Sequence, residues 1–495
     1  MKKIILIIAV LLLSNFSFSA NYFVATNGND SNNGSTIDTP FASIVPAVSN
    51  ALAGDTIWVR GGTFEYSSTI SISKSGNESN SIYLLAYNDE KPLFDFSGTA
   101  FGKRGISLTG NYWIIKGFEM QYAGDNAIYM SGSNNTIENC SFHDNKDTGL
   151  QLGKGASNNN IINCDSYFNA DPTDYGDADG FAAKLDVGTN NYFYGCRAWC
   201  NVDDGWDGYM RGNDDVNTVL ENCWTWGNGY FKDGTDAGAK ANGNGFKVGG
   251  SDGKDLKHNF TLINCLAFYN KAKGFDQNNN MGDMFFYNCT GFGNKGNDFS
   301  IPKAIAAGKT AEVKNCILFK GTKNLARFVV QECNSWDTRF KVDESDFISI
   351  DTTGISGPRK PDGSLPDIEF MHLAEGSDLI NAGIDLGYPF LGTAPDLGAF
   401  ETSSGVGFRE VTSLNQIKAY MNRDGNISVH FEQEKEGRAL IDIYNLSGIK
   451  MAFKQFNGLS SGMQKVKIEN SLSHGIYIIG LKNNGKTQTT TLIIN

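Results

Sequence analysis

Proline is scarce here, with ten in 495 residues, and no long stretch carries the 3.6-residue period of an amphipathic helix. That excludes a helical bundle and an alternating helix–strand fold. Histidine is rarer still. The five (His143, His258, His372, His430 and His474) are scattered, which argues against a histidine-built zinc centre. Basic residues are outnumbered, and the formal net charge is −12. Nothing resembles a basic groove, so nucleic acid is excluded as a partner. Apart from Ile4–Leu13, no apolar run approaches the length of a membrane span. That run follows Lys2 and Lys3 and precedes the small residues Ser17, Ser19 and Ala20, so residues 1–20 read as a secretory signal peptide. Its removal takes away two lysines and no acid, leaving a formal charge of −14.

What the chain has in plenty is glycine, 57 residues of it, with asparagine and β-branched and aromatic residues that suit a turn-rich β protein. One pattern recurs. Asn-Cys ends six short segments, at Cys140, Cys164, Cys223, Cys265, Cys289 and Cys316, and Gly195-Cys196 takes the same place in a seventh. The intervals between consecutive cysteines are 24, 32, 27, 42, 24 and 27 residues. A unit this short cannot bury itself and must stack on its neighbours. Short strands such as Thr136–Cys140, Asn/Gly corners and a repeat in the twenties predict an all-β fold, a parallel β-helix, with regular coils from about Tyr112 to Phe319. Seven cysteines in register predict a ladder of small, buried, reduced side chains. Cys200 and Cys333 fall outside it.

The expected organisation is a signal peptide over 1–20, a β-helix catalytic domain over 21–402, a linker over 403–415 and a small antiparallel β-sandwich over 416–495. The sandwich is read from alternating segments such as Ala439–Tyr444 and Gly475–Leu481. The words Tyr444-Asn445-Leu446-Ser447-Gly448, Leu459-Ser460-Ser461-Gly462 and Gly475-Ile476-Tyr477 resemble the C-terminal sorting domain of type IX secretion in Bacteroidetes-type bacteria. That resemblance implies a partner in the secretion machinery and an extracellular or surface-attached protein.

A second alignment exposes the chemistry. A Gly-plus-apolar pair follows five consecutive ladder cysteines: Gly149-Leu150, Gly180-Phe181, Gly205-Trp206, Gly245-Phe246 and Gly274-Phe275. The cysteine-to-glycine distance is nine residues in three coils, but sixteen before Gly180 and twenty-two before Gly245. Those two coils carry loops about seven and thirteen residues longer on one side of the stack. In this register Asp179 and Asp204 precede the glycine on consecutive coils, and Asp207, Lys247 and Asp276 follow it by two on three consecutive coils. With Asp203 added, the register predicts that Asp179, Asp203, Asp204 and Asp207 crowd into a single pocket with Lys247. Crowded carboxylates need a cation, and hard oxygen donors in a secreted protein point to Ca²⁺. An EF-hand beginning at Asp203 fails, with Gly205 at its third position and Asp214 at its twelfth. A Ca²⁺ site beside a lysine suits β-elimination from a uronic acid. The cation neutralises the carboxylate next to C5, and the lysine, its pKa expected to be lowered by Ca²⁺ and burial, removes the C5 proton. Trp206, Phe246 and Phe275 are expected to point into the core.

The stretches Asp177–Lys184, Asp203-Asp204-Gly205-Trp206-Asp207 and Gly243–Gly250 together resemble polysaccharide lyase family 9, right-handed parallel β-helix pectate lyases and their relatives, over roughly residues 21–401. The resemblance implies Asp179, Asp203, Asp204 and Asp207 as Ca²⁺ ligands and Lys247 as the Brønsted base. Lys184, Arg211, Lys240, Asn244 and Asp276 are the further candidates for holding substrate. The expected partner is an acidic plant or algal cell-wall polysaccharide, pectate or alternatively rhamnogalacturonan I, acted on by a monomer. A β-helix glycoside hydrolase is the first rival, but its Gly-His-Gly and Arg-Ile-Lys segments are missing. A non-catalytic glycan-binding β-helix is the second.

Overall fold

The computed structural model describes residues 19–402 except 174 and 389, and residues 417–421, 426–433, 435–445, 450–468, 472, 475–483 and 486–494 of the C-terminal part. The signal peptide (1–18 of its span) and the linker at 403–415 lie outside the described residues. The chain forms two compact units, Met1–Ser404 and Gly405–Asn495.

The first unit is a right-handed parallel β-helix. Among the described residues each complete coil contributes one strand to each of three sheets of twelve, ten and ten strands, the first sheet gaining Asn21–Val24 and Val330–Glu332 at its ends. One coil runs Asn191–Tyr194 in the first sheet, Arg197–Trp199 in the second and Trp206–Asp207 in the third. The next runs Val216–Glu221, Trp224–Trp226 and Phe246–Lys247. The Asn-Cys pair is the corner between the first two sheets. Asn139, Asn163, Asn222, Asn264, Asn288 and Asn315 all have φ between 50° and 56°, a left-handed conformation that asparagine tolerates better than most residues. Gly195, at φ 62°, keeps the corner without a side chain. A Cβ there would lie 2.3 Å from Asn163 Oδ1, and the Arg359 guanidinium donates to the Gly195 carbonyl at 2.9 Å. The exception in the repeat is thus where a downstream segment docks.

The ladder cysteines are free, buried and aligned. The amide following each one donates to the carbonyl of the cysteine one coil earlier, as Asp165 does to Cys140 and Arg197 to Cys164. Cys200 sits instead at a left-handed turn after the second sheet, at φ 50°. Inside the third sheet Phe181, Trp206, Phe246, Phe275 and Phe299 pair in register, with neighbouring ring centroids 4.8–5.2 Å apart. They point into the core as expected, and burying such rings is the main stabilising contribution of the interior. Ile44–Asn50 is a short helix that the periodicity did not suggest. Seven residues are too few for a period to be legible, and Ser43 caps it while Ile44, Ala47 and Val48 are buried.

After the last coil, residues including Phe347, Ile355, Phe370, Leu373 and Leu397 cover the outer face of the second sheet, packing on Trp199, Trp224, Trp226 and Phe268. Arg359 and Arg197 both bind Asp165 in this covering, at 2.6 and 2.7 Å. The second unit consists of antiparallel sheets of three and four strands. Its core includes Ile427, Val429, Phe431, Ile441, Ile443, Ile479 and Leu481.

Candidate active site

In the third sheet, aromatic residues face inward, so the alternate positions face out. Ala182, Asp207, Lys247, Asp276 and Ser300 are Cα partners on successive coils. Strand pairing therefore puts Lys247 directly over Asp207, in the column the repeat predicted. The turns that lead into these strands carry Asp179, Asp203 and Asp204. One carboxylate oxygen from each of the three lies within 4.8 Å of the others, and the residues are 0 %, 1 % and 0 % exposed. Asp207, the fourth expected ligand, stands beside this trio. Its oxygens face two ammonium groups, Lys247 Nζ at 3.2 Å and Lys184 Nζ at 3.5 Å.

Lys247 Nζ also lies 2.8 Å from Asp204 Oδ2, and Lys184 Nζ lies 2.6 Å from Asp179 Oδ2. Both lysines are buried. Lys184 thus belongs to the heart of the cluster. Thr148 Oγ1 donates to Asp179 Oδ2 at 3.1 Å, and the Tyr209 amide donates to Asp207 Oδ1 at 3.0 Å. Asn244 is tied to the cluster. Its amide nitrogen donates to Asp204 Oδ1 at 2.9 Å and its oxygen accepts from the Lys273 amide at 3.2 Å. Asp276 is buried and receives Lys273 Nζ at 3.0 Å. Arg211 is solvent-facing, 3.3 Å from Asp252. Lys240 is exposed on the larger of the two enlarged loops.

Those two loops pack on each other. Ala178, Val202, Ala237 and Ala241 form a small core of their own, and the Tyr175 and Phe231 rings meet edge to face at 5.1 Å. The insertions are therefore a built wall beside the acidic cluster.

Burial dominates the electrostatics. It pushes Asp203 up to about 8, helped by Asp204, and raises Asp179 and Asp204 as well, against the pull of Lys184 and Lys247 respectively. Asp207 goes the other way, because Lys247 and Lys184 together outweigh its burial. Lys247 is shifted by the same cluster. Its pKa is raised: burial opposes the charge, but Asp204, Asp207, Asp203 and Asp179 outweigh it. Three buried carboxylates this close together could hold a metal ion.

Three residues were missed from sequence. Thr148 and Tyr209 lack any distinguishing local pattern. His258, one of the scattered histidines, lies behind Asp207. Its Nδ1 donates to the Gly208 carbonyl at 2.9 Å and its Nε2 accepts from Thr218 Oγ1 at 2.8 Å. Burial lowers its pKa to about 4, so the ring is neutral and acts as a fixed strut.

Residues 22–315 match the family model described as "Pel9A-like, right handed beta helix region", and residues 423–495 match "Secretion system C-terminal sorting domain". A protein named "Pectate lyase L" from Dickeya chrysanthemi is 39% identical over 404 residues, covering 79% of this chain and 92% of its own length. The crystal structure of pectate lyase Pel9A superposes with a TM-score of 0.72 at 38% identity, covering 78% of this chain and 97% of that one. A structure named "Rhamnogalacturonan lyase" gives a TM-score of 0.63 at 27% identity, covering 72% and 97%.

Proposed function

Since the chain belongs to the Pel9A-like right-handed β-helix family and is a polysaccharide lyase, we propose that it cleaves pectate, a polygalacturonate, by β-elimination. In this reading Lys247 is the base, and Asp179, Asp203, Asp204 and Asp207 hold Ca²⁺. The observation that carries it is the meeting of a buried amine with three buried carboxylates on consecutive coils, Lys247 Nζ being 2.8 Å from Asp204. The donor set fits the ion: oxygen donors alone, buried, and mutually repelling until a cation enters.

The polymer would lie along the outward column of the third sheet. Lys247 takes the C5 proton at Nζ. The electron pair left at C5 forms the C4–C5 double bond as the bond from C4 to the bridging oxygen breaks, and the departing chain is protonated from solvent. Asp207 holds the amine in line, and Lys184 balances the charge of Asp179 and Asp207. Ca²⁺, when bound, neutralises the uronate carboxylate and offsets the field that keeps Lys247 protonated. Arg211, Lys240 and Asp276 are the candidate contacts to the polymer, while Lys184 and Asn244 support the acidic cluster. The sorting-domain match over 423–495 supports export to the cell surface or beyond by the type IX route, and the proposed division is a catalytic domain over 21–402, a linker over 403–415 and a sorting domain over 416–495.

Rhamnogalacturonan I is the second reading, favoured by the likeness to the rhamnogalacturonan lyase structure. The test is incubation of the purified protein with polygalacturonate, rhamnogalacturonan I and alginate, with and without Ca²⁺, following ultraviolet absorbance of the new double bond. Ca²⁺-dependent unsaturated product from polygalacturonate is expected. A reducing end without unsaturation would instead mean hydrolysis, and no product from any uronate would mean a binding protein.

A further inference from the structure

Asp203 and Asp204 are adjacent, buried and of like charge, yet each has one oxygen committed to a neutral donor pair. Asn242 donates to Asp203 Oδ1 through its backbone amide at 2.7 Å and its side-chain amide at 2.9 Å. Asn244 repeats the arrangement on Asp204 Oδ1, at 2.7 and 2.9 Å. The turn that aims both asparagines inward depends on Gly243. Its φ is +69°, and a Cβ would come within 2.8 Å of Gly229 Cα and Lys271 Cβ. This Asn-Gly-Asn clamp is the tail of the larger insertion. Lys271 holds that insertion from outside, its Nζ 2.5 Å from Asp236 and bonded also to the Gly238 carbonyl.

Amide donors suit the task better than lysines would. They fix the orientation of a carboxylate and ease the repulsion between two of them, without adding a positive charge that competes with an incoming cation. The clamp engages only Oδ1 of each carboxylate, and the second oxygen of Asp204 meets Lys247 Nζ at 2.8 Å. We propose that Asn242 is a positioning residue for the cation site, orienting Asp203 as Asn244 orients Asp204, so that the thirteen-residue insertion sets the affinity for Ca²⁺. This inference rests on the Ca²⁺ reading above.

The test is calorimetric titration of CaCl₂ into the full chain and its variants, with initial rates measured across the same range. Asn242 is itself exposed, so Asn242→Ala should fold, with a chelator melt matching the wild type. Its Ca²⁺ affinity should fall by about 10–100-fold, with kcat recovering at saturating Ca²⁺. Both variants keep the backbone donor, and Asn242→Ser, whose hydroxyl restores a shorter side-chain donor, should fall between the two. Asp233→Ala, at the exposed tip of the same loop, should bind as the wild type does. An unchanged affinity in Asn242→Ala overturns the clamp alone. Absence of Ca²⁺ binding in the wild type overturns the cation reading and the clamp with it.

Discussion

Replacing Lys247 with alanine should move catalysis and cation binding in opposite directions. The amine lies 2.8 Å from Asp204 and 3.2 Å from Asp207, among the carboxylates assigned to the cation. As the base it contributes about 10²–10⁴-fold to the rate, which is about 3–5 kcal/mol of barrier. As a neighbour it opposes the cation, since two unit charges 4 Å apart at an effective dielectric of about 20 repel by about 4 kcal/mol. With a third of that surviving rearrangement, the Kd for Ca²⁺ falls about tenfold in the variant. Double-bond absorbance on polygalacturonate at saturating Ca²⁺ reads the first effect, and calcium titration reads the second. Activity within threefold of wild type would remove Lys247 from the chemistry. Lost activity together with weakened Ca²⁺ binding would make it a structural part of the site, and the assignment as base would be wrong.

Lys184→Met leaves Asp179 without its buried counter-charge and Asp207 with Lys247 alone, so in chelator the fold should lose about 3–5 kcal/mol. Added Ca²⁺ should recover much of the loss in thermal melts, whereas equal losses with and without the ion would contradict a shared cluster. Phe246→Ala removes a fully buried ring stacked 5.0 Å from Trp206 and 5.2 Å from Phe275. It should cost about 3–5 kcal/mol by denaturant unfolding, and a loss under 1 kcal/mol would contradict the packing. His143 has its two ring nitrogens 2.8 Å from Asp144 and 2.8 Å from Glu119, and these carboxylates outweigh burial to raise its pKa. Its charged form therefore stabilises the fold fully below about pH 6.5, and that contribution fades as pH rises through the raised folded-state value. The melting-temperature gap between wild type and His143→Gln should shrink over that rise, and a widening gap would reverse the sign.

The coil architecture was legible because cysteine and left-handed asparagine recur in register, and the outward column was legible because strand pairing preserves that register from coil to coil. The aspartates and Lys247 fell into place for the same reason. A second signal went unread. Asparagine stands five residues after six of the ladder cysteines, and Asn145, Asn169, Asn201, Asn228, Asn270 and Asn294 form a buried ladder in which each backbone amide donates to the next residue's Oδ1, ending on Asp298. The direction of the Lys247 shift could not be read from spacing, because it depends on how closely four carboxylates approach one amine. Asn242 was hidden for a related reason. It lies inside an insertion, where the repeat register is lost and only the folded loop brings it back to Asp203. The docking of Arg359 on Gly195 spans 164 residues, and no local pattern announces a contact at that separation.

The acidic trio, Lys184 and Lys247 are drawn from three consecutive turns of a much longer spiral. Reactivity and reach are therefore separable properties of the molecule. Adding or deleting whole turns toward either end would change how many sugar units the outer face can hold while leaving the reacting centre intact. Slipping a single turn between Asp204 and Lys247 would pull the amine about 4.8 Å from its partner and silence the molecule.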